Sequence, residues 1–543
     1  MNNKKLLSLT TLALSVLMLG SCSLLEEQQV SISYVQAIAF QMEGDSLYGM
    51  MNLNGEVICK PQFKKEPTEA SCDRFFVQDD DNLWELYTLE AIPKSVNGKK
   101  YYDVGAFVDG LCPVTEPDSY PKYINVDGEV VFEAKEYEGK RIIQVHNFCN
   151  GMAVIRTEDD LFGYMDKNGV VVIPPKYDLA KPFYTENALA DLPLEPGKSE
   201  ESQNWVILDK SGNEVFKTRK SKMNRKLVGF EPNNLTIVSM KDDEKFALIN
   251  NKGEKVCMLD IKQVKSFYGD LINFKDDDFK CGLMDTEGKV VIEPDYSVMK
   301  YYGGPIIAQD EEDDEYYLLD RQGNEVKTIN ADHIWVPDES YIGYKDRILC
   351  FPDSSKCYFM DAQGNKLPSS IEFTNPCGKS MTFASTDYQV AELLMKKLEL
   401  TSESMMGSKI GASYINLKEP SNPLLKGERD YEMENGNKML AFRARFIGLE
   451  FAHIIHFDKD YIGDDYEDNP NAKAMRIVTI FETGRHTEKM LELLKQQAEK
   501  MGKFFRKMSL MNLDGDAYKL SNNRYMFIAP SKSNEAVAVY LGD

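Results

Sequence analysis

Tryptophan and histidine are scarce in this chain of 543 residues, which holds three of the first and five of the second. A glycan-binding surface built on exposed indoles therefore has only Trp84, Trp205 and Trp335 to draw on. None of the histidines stands in a His-Glu-x-x-His helix, and no Cys-x-x-Cys pair occurs among the ten cysteines, so the usual zinc and dithiol redox sites have no ligands here. No Gly-x-Ser-x-Gly elbow or phosphate-binding Gly-Lys loop is present, and no cofactor is expected. Basic charge is also short. Against 87 Asp and Glu stand 64 Lys and Arg, and the resulting charge of −23 excludes nucleic acid as a natural partner.

Long apolar runs are missing except at the start, where Lys4-Lys5 precede Leu6 to Leu19. That run is short for a membrane span and reads as a secretion signal. It ends in Leu19-Gly20-Ser21-Cys22, similar to the lipobox of bacterial lipoproteins, which implies cleavage before Cys22 and lipid on its thiol. The expected organisation is a signal peptide at 1–21, a tether at 22–34, a β-repeat domain at 35–370 and an α+β domain at 371–543. The expected address is the bacterial cell envelope, lipid-anchored, most naturally at the outer membrane. Glu26-Glu27 after the anchor are thin support for surface export.

What fills the chain is a repeat. The phrase Phe162-Gly163-Tyr164-Met165-Asp166-Lys167-Asn168-Gly169-Val170-Val171-Val172-Ile173-Pro174-Pro175-Lys176-Tyr177 recurs in degraded form, its turn glycines falling at Gly55, Gly98 (the weakest), Gly128, Gly169, Gly212, Gly253, Gly288, Gly323 and Gly364. Asp or Asn opens most of these turns and Gly closes them, the chemistry of a strand reversal. An aromatic stands at one fixed offset before four of them, at Phe107, Phe148, Phe267 and Tyr302. Each unit is then three or four short strands. The apolar runs Val170 to Ile173 and Val290 to Ile292 read as strands covered on both faces and ended by Pro174 and Pro294. Units of roughly forty residues cannot bury their own apolar faces and must stack.

These phrases, with Tyr48 to Gly55, Phe246 to Gly253 and Cys281 to Gly288, resemble the WG-repeat family, although no Trp-Gly dipeptide survives. The resemblance covers about 35–370 and implies an all-β array used as an interaction surface, with no assigned catalytic residue. A closed propeller of seven or eight blades is the preferred shape and an open β superhelix the alternative.

After Pro368 the texture changes. Helices are expected at Asp387 to Leu400 and Thr487 to Lys507, the second with Met490, Leu494, Ala498, Met501 and Phe505 on one face. Strands are expected at Met439 to Phe446, Met475 to Phe481, Tyr525 to Ala529 and Ala536 to Leu541. The polar residues that stand out are His453, His456, Arg485 and His486. A strand through Phe451 to Phe457 would send the two histidines to opposite faces. Phe481 to Thr487 combines Gly, cations and a helix start, which suits either an anion site or a plain helix cap. The acidic runs Asp79 to Asp81, Asp276 to Asp278 and Glu311 to Asp314 lack calcium-loop spacing and read as solvated loop tips. Cys350 and Cys357 flank a turn and are candidates for a disulfide.

Two functional readings follow. The first is a lipid-anchored envelope protein, not an enzyme, whose repeat surface binds protein, peptide or glycan. The second is an envelope hydrolase with its site in the C-terminal domain, around His453, His456, Arg485 and His486.

Overall fold

The structure is a computed structural model that describes residues 35–42, 44–193, 204–217, 233–240, 245–310, 315–337, 346–353, 356–368, 374–377, 381–418, 422–425, 429–430, 439–447, 449–460 and 469–542. The chain divides into two compact units, with the division between Asp387 and Tyr388. The repeat unit thus runs beyond 370, where the sequence pattern ends.

One repeat shows how the letters make the fold. Met152–Thr157 pairs antiparallel with Phe162–Asp166, which pairs in turn with Val171–Tyr177. At the second reversal Asp166 Oδ1 accepts the N–H groups of Asn168 and Val170, both at 2.9 Å. Gly169 closes the turn at φ +79°, where a Cβ would be strained. The same pair of N–H bonds converges on Asn52, Asn125, Asp209, Asn250, Asp285, Asp320 and Asp361. Gly163 serves another need: a Cβ there would lie 2.5 Å from the Ile173 carbonyl oxygen, at the slip in register beside Tyr164.

The apolar runs differ from expectation. Val171–Tyr177 is the outermost strand of its sheet, so Val170 is 56% exposed and Val172 36%. Nor do the prolines end these strands. Val171–Tyr177 passes through Pro174 and Pro175, and Val290–Tyr296 through Pro294, because an outer edge needs no amide donor on its free side.

Among the described residues, eight sheets of three or more strands follow one another from Ile38 to Cys377, and the two-stranded hairpin Arg74–Gln78 with Trp84–Thr88 holds a place of its own after the first. In that hairpin the turn begins at Asp79 and Asn82 takes the glycine position at φ +62°. Gly98, at φ +66°, lies instead between isolated bridges that join Ser95 to Tyr87 and Tyr101 to Trp84.

Each sheet packs on the next through a shared apolar core. Tyr123, Ile142, Val145 and Phe148 form one such layer, and Val154, Tyr164, Ala188 and Val206 form the one after it. Burying an aromatic or branched side chain of this kind contributes about 2 kcal/mol. The series closes on itself. Ile38, Phe40 and Met51 of the first sheet pack against Leu349, Cys357 and Phe359 of the last, and Thr374–Cys377 returns to pair with Ile38–Gln41. The array is therefore a closed eight-bladed β-propeller with an added hairpin, not an open superhelix.

The candidate disulfide is not formed. Cys350 pairs in register with Tyr358 and joins a core with Met360, while Cys357 joins the next core with Leu349 and Phe359. Neighbouring residues of a strand pair point to opposite faces, which holds the two sulfurs apart.

The C-terminal unit is an eight-stranded antiparallel sheet, in the order Arg429–Asp430, Met439–Phe446, Leu449–Phe457, Ala474–Glu482, Ala536–Gly542, Tyr525–Pro530, Leu513–Leu520 and Gly502–Leu510. Helices Val390–Leu398 and Thr487–Met501 pack on each other, and the second also packs on the sheet. Val390, Leu394 and Leu398 are buried, as are Met490, Leu494 and Ala498. The second helix stops at Met501, short of the expected Lys507. Gly502 turns the chain into an edge strand, and a Cβ at that position would lie 2.3 Å from the Lys519 carbonyl oxygen.

Candidate functional site

The polar residues of the C-terminal unit do not form one centre. Leu449–Phe457 alternates, burying Phe451, His453, Ile455 and Phe457 and leaving His456 half-buried on the other side. His453 is fully enclosed. Its Nδ1 lies 2.8 Å from Thr479 Oγ1 and its Nε2 2.9 Å from Ser408 Oγ, so both ring nitrogens are bonded within the core. Burial pulls its imidazole down to about 3 and keeps it neutral. His456 is drawn down to about 4, by burial first and then by the Arg476 charge. Across the sheet His456 faces Met439 and Arg476, whereas His453 faces Phe442 and Thr479.

Arg485 and His486 stand after the end of Ala474–Glu482, in the short turn that enters the second helix. This turn is a helix entry. The N–H groups of Thr483 and Gly484 both donate to the Glu535 carbonyl oxygen at 2.8 Å, so two amides that an anion would need are already bonded. Thr487 Oγ1 donates to the Gly484 carbonyl at 2.8 Å. Among the described residues no group of three or more His, Cys, Asp or Glu is placed to hold a metal ion. Cys22 lies outside the described residues.

In the propeller unit the acidic runs are turns. Asp79 Oδ1 accepts the N–H groups of Asp81 and Leu83 at 3.0 Å, and Asp276 those of Asp278 and Lys280. Glu311 to Asp314 lie outside the described residues. Asp80, Asp81, Asp277 and Asp278 are exposed, and Asp79 also binds Lys100 at 3.1 Å.

The sequence reading missed a seam along the inner strands. After Thr374–Cys377 completes the first blade, Phe383–Ser385 pairs with Lys140–His146 of a later one. Ser385 N–H donates to Asp103 Oδ2 at 2.8 Å, Thr386 N–H to the Ile143 carbonyl at 2.8 Å, and Asp118 N–H to Asp387 Oδ2 at 2.6 Å. Asn147 joins three segments: its backbone N–H reaches the Thr382 carbonyl at 2.8 Å, its Nδ2 the Met381 carbonyl at 2.9 Å, and its Oδ1 takes the Ala106 N–H at 3.0 Å. Gly105 permits this, since a Cβ there would lie 2.4 Å from Asn147 Oδ1. The only sequence signal was a Phe-Ala-Ser-Thr-Asp phrase that belongs to no repeat. Beside the seam is a cavity of about 10 Å³ lined by Thr68, Ser71, Arg74, Phe107 and Met381, with room for about one water and none for a metabolite.

Comparison with known proteins agrees with this architecture at the level of the repeat. Residues 162–190 and 282–304 match the family model of the WG containing repeat. No curated protein matches the chain. Among solved structures, a eukaryotic initiation factor aligns at 11% identity and TM-score 0.43, covering 64% of this chain and 98% of its own. BamB from Moraxella catarrhalis aligns at 12% identity and TM-score 0.32, covering 55% and 91%. AztD from Citrobacter koseri aligns at 13% and 0.29, covering 64% and 96%. These values carry no argument about activity, and the propeller rests on its own strand pairing and blade cores.

Proposed function

We propose that this propeller of WG-type repeats is a lipid-anchored interaction protein of the bacterial cell envelope, held through Cys22 and binding a protein or peptide on the ring. The observation that carries the reading is the division of labour within each blade. The turn between its last two strands spends an Asp or Asn and a Gly on backbone geometry, and does so eight times with one hydrogen-bond pattern. The turns between the second and third strands carry no such common phrase, so they are free to vary toward a partner. Asp277-Asp278 lie exposed in one of them and Asp80-Asp81 in the turn of the added hairpin, which favours a cationic polypeptide over a glycan. The lipobox-like Leu19-Gly20-Ser21-Cys22 supports the anchor, and the preceding apolar run supports export.

Two measurements test this reading. Cells fed labelled palmitate should label the chain and should leave a Cys22→Ala variant unlabelled; label on the variant would remove the anchor. Crosslinking in envelope extracts should capture a basic protein that is lost when Asp80, Asp81, Asp277 and Asp278 are changed to Asn. Capture of no partner under crosslinking would overturn the interaction role.

A further inference from the structure

The strand Gly502–Leu510 ends its sheet, and its outer side pairs with no strand among the described residues. Lys503, Phe504, Phe505, Arg506 and Lys507 follow one another along it and all are exposed, with Phe504 at 53% and Phe505 at 49%. No acid occurs between 502 and 510, in a chain whose net charge is −23. Cations and large aromatics have thus been gathered on the edge of a protein that is otherwise strongly acidic.

Register shows how they are displayed. Phe504 and Lys507 stand opposite Tyr518 and Asp516 on one face, while Lys503 and Arg506 stand opposite Lys519 and Ala517 on the other. Phe505 is the extra residue of the bulge between them. Its ring lies 5.5 Å from that of Tyr525, and the Arg506 guanidinium sits over it at 5.2 Å. Nearby acids are engaged elsewhere: Asp516 is 2.7 Å from Lys495, and Asp514 accepts the Ser509 hydroxyl.

We propose that this edge docks on an anionic lipid surface, with Phe504 and Phe505 at headgroup depth and Lys503, Arg506 and Lys507 against the lipid phosphates. Cations and an aromatic on both faces of one strand suit a planar partner met edge-on, the arrangement that interfacial segments use. A second copy fits poorly, because antiparallel self-pairing about the bulge would set Lys503 against Lys507. A single added peptide strand fits poorly too, since the bulge interrupts the row of backbone groups it would follow. The contact is independent of the Cys22 lipid, which would serve only to hold the strand near the membrane.

Hydrogen exchange on the full chain, read at residues 502–510, tests this. Vesicles of phosphatidylglycerol with phosphatidylcholine should slow exchange there roughly tenfold, phosphatidylcholine alone should not, and salt should reverse the effect. Each cation contributes roughly fivefold to partition, so Lys503→Ala, Arg506→Ala and Lys507→Ala together should weaken partition on the order of a hundredfold and abolish the protection. The Phe504→Ser, Phe505→Ser variant, which keeps all three cations, should lose it as well. Protection by both lipids alike, protection without vesicles that grows with protein concentration, or none with any vesicle would each overturn the proposal. Loss of palmitate labelling would leave this readout in place, so the two ideas fail separately.

Discussion

His453 shows what a single side chain can mean in such a protein. The sequence makes it one of a conspicuous pair, His-Ile-Ile-His, whose β-branched and aromatic neighbours already favour a strand that parts the two rings. The alternation of Leu449–Phe457 then separates the two rings, and His453 becomes a core residue bonded to Thr479 and Ser408. Its neutrality has a consequence for stability. The folded imidazole titrates near about 3, whereas the unfolded one titrates near about 6.5. Between those values the unfolded chain binds the extra proton, so stability falls as the solution is acidified. Lowering pH from about 7 to about 5 should cost about 2 kcal/mol through this residue. His453→Gln should lose about 1 kcal/mol at neutral pH through a weakened hydrogen bond, yet become the more stable form near pH 5. Urea unfolding of both proteins at the two pH values checks this; parallel losses on acidification would remove His453 as the source.

Among elements, those that obey a local rule were legible and those fixed by distant partners were not. The hairpins could be read because Asp166 and Gly169 specify their turn with their own atoms. The helix at Val390–Leu398 could be read from its buried face. The segment after Met501 could not, because Ala498, Met501 and Phe505 continue a helical spacing while Gly502 permits a strand whose pairing with Leu513–Leu520 is decided across the sheet. Phe383–Ser385 was equally hidden, since its partners, Asp103 and Lys140–His146, are remote in sequence. That strand should be sensitive to the loss of one donor. Ser385→Pro removes the N–H that binds Asp103 and should destabilise the propeller unit by about 1–3 kcal/mol, seen as a lower melting temperature and faster exchange at residues 140–146. Ser385→Ala, which keeps the N–H, should be near neutral. Equal losses in the two variants would show that the hydroxyl matters and the backbone bond does not.

For the whole molecule, the sequence was informative about the repeat and nearly silent about its ends. Turn glycines announced the blades, and the closing strand carried no announcement because Thr374–Cys377 completes a blade begun at Ile38. A chain ending at 370 should therefore leave the first blade short of a strand and lose cooperative unfolding, while a chain ending at Asp387 should keep it, as calorimetry would show. Identical melts of the two truncations would mean that the ring closes without the returning strand. This late strand also sets a clock. At roughly 5–20 residues per second of synthesis, the partner of Ile38–Gln41 emerges on the order of half a minute after it. For that interval the newborn protein is an open ribbon with an unsatisfied edge at its leading end. A message cut short before Thr374 thus yields a product that never seals, and is left recognisable to proteases as unfinished.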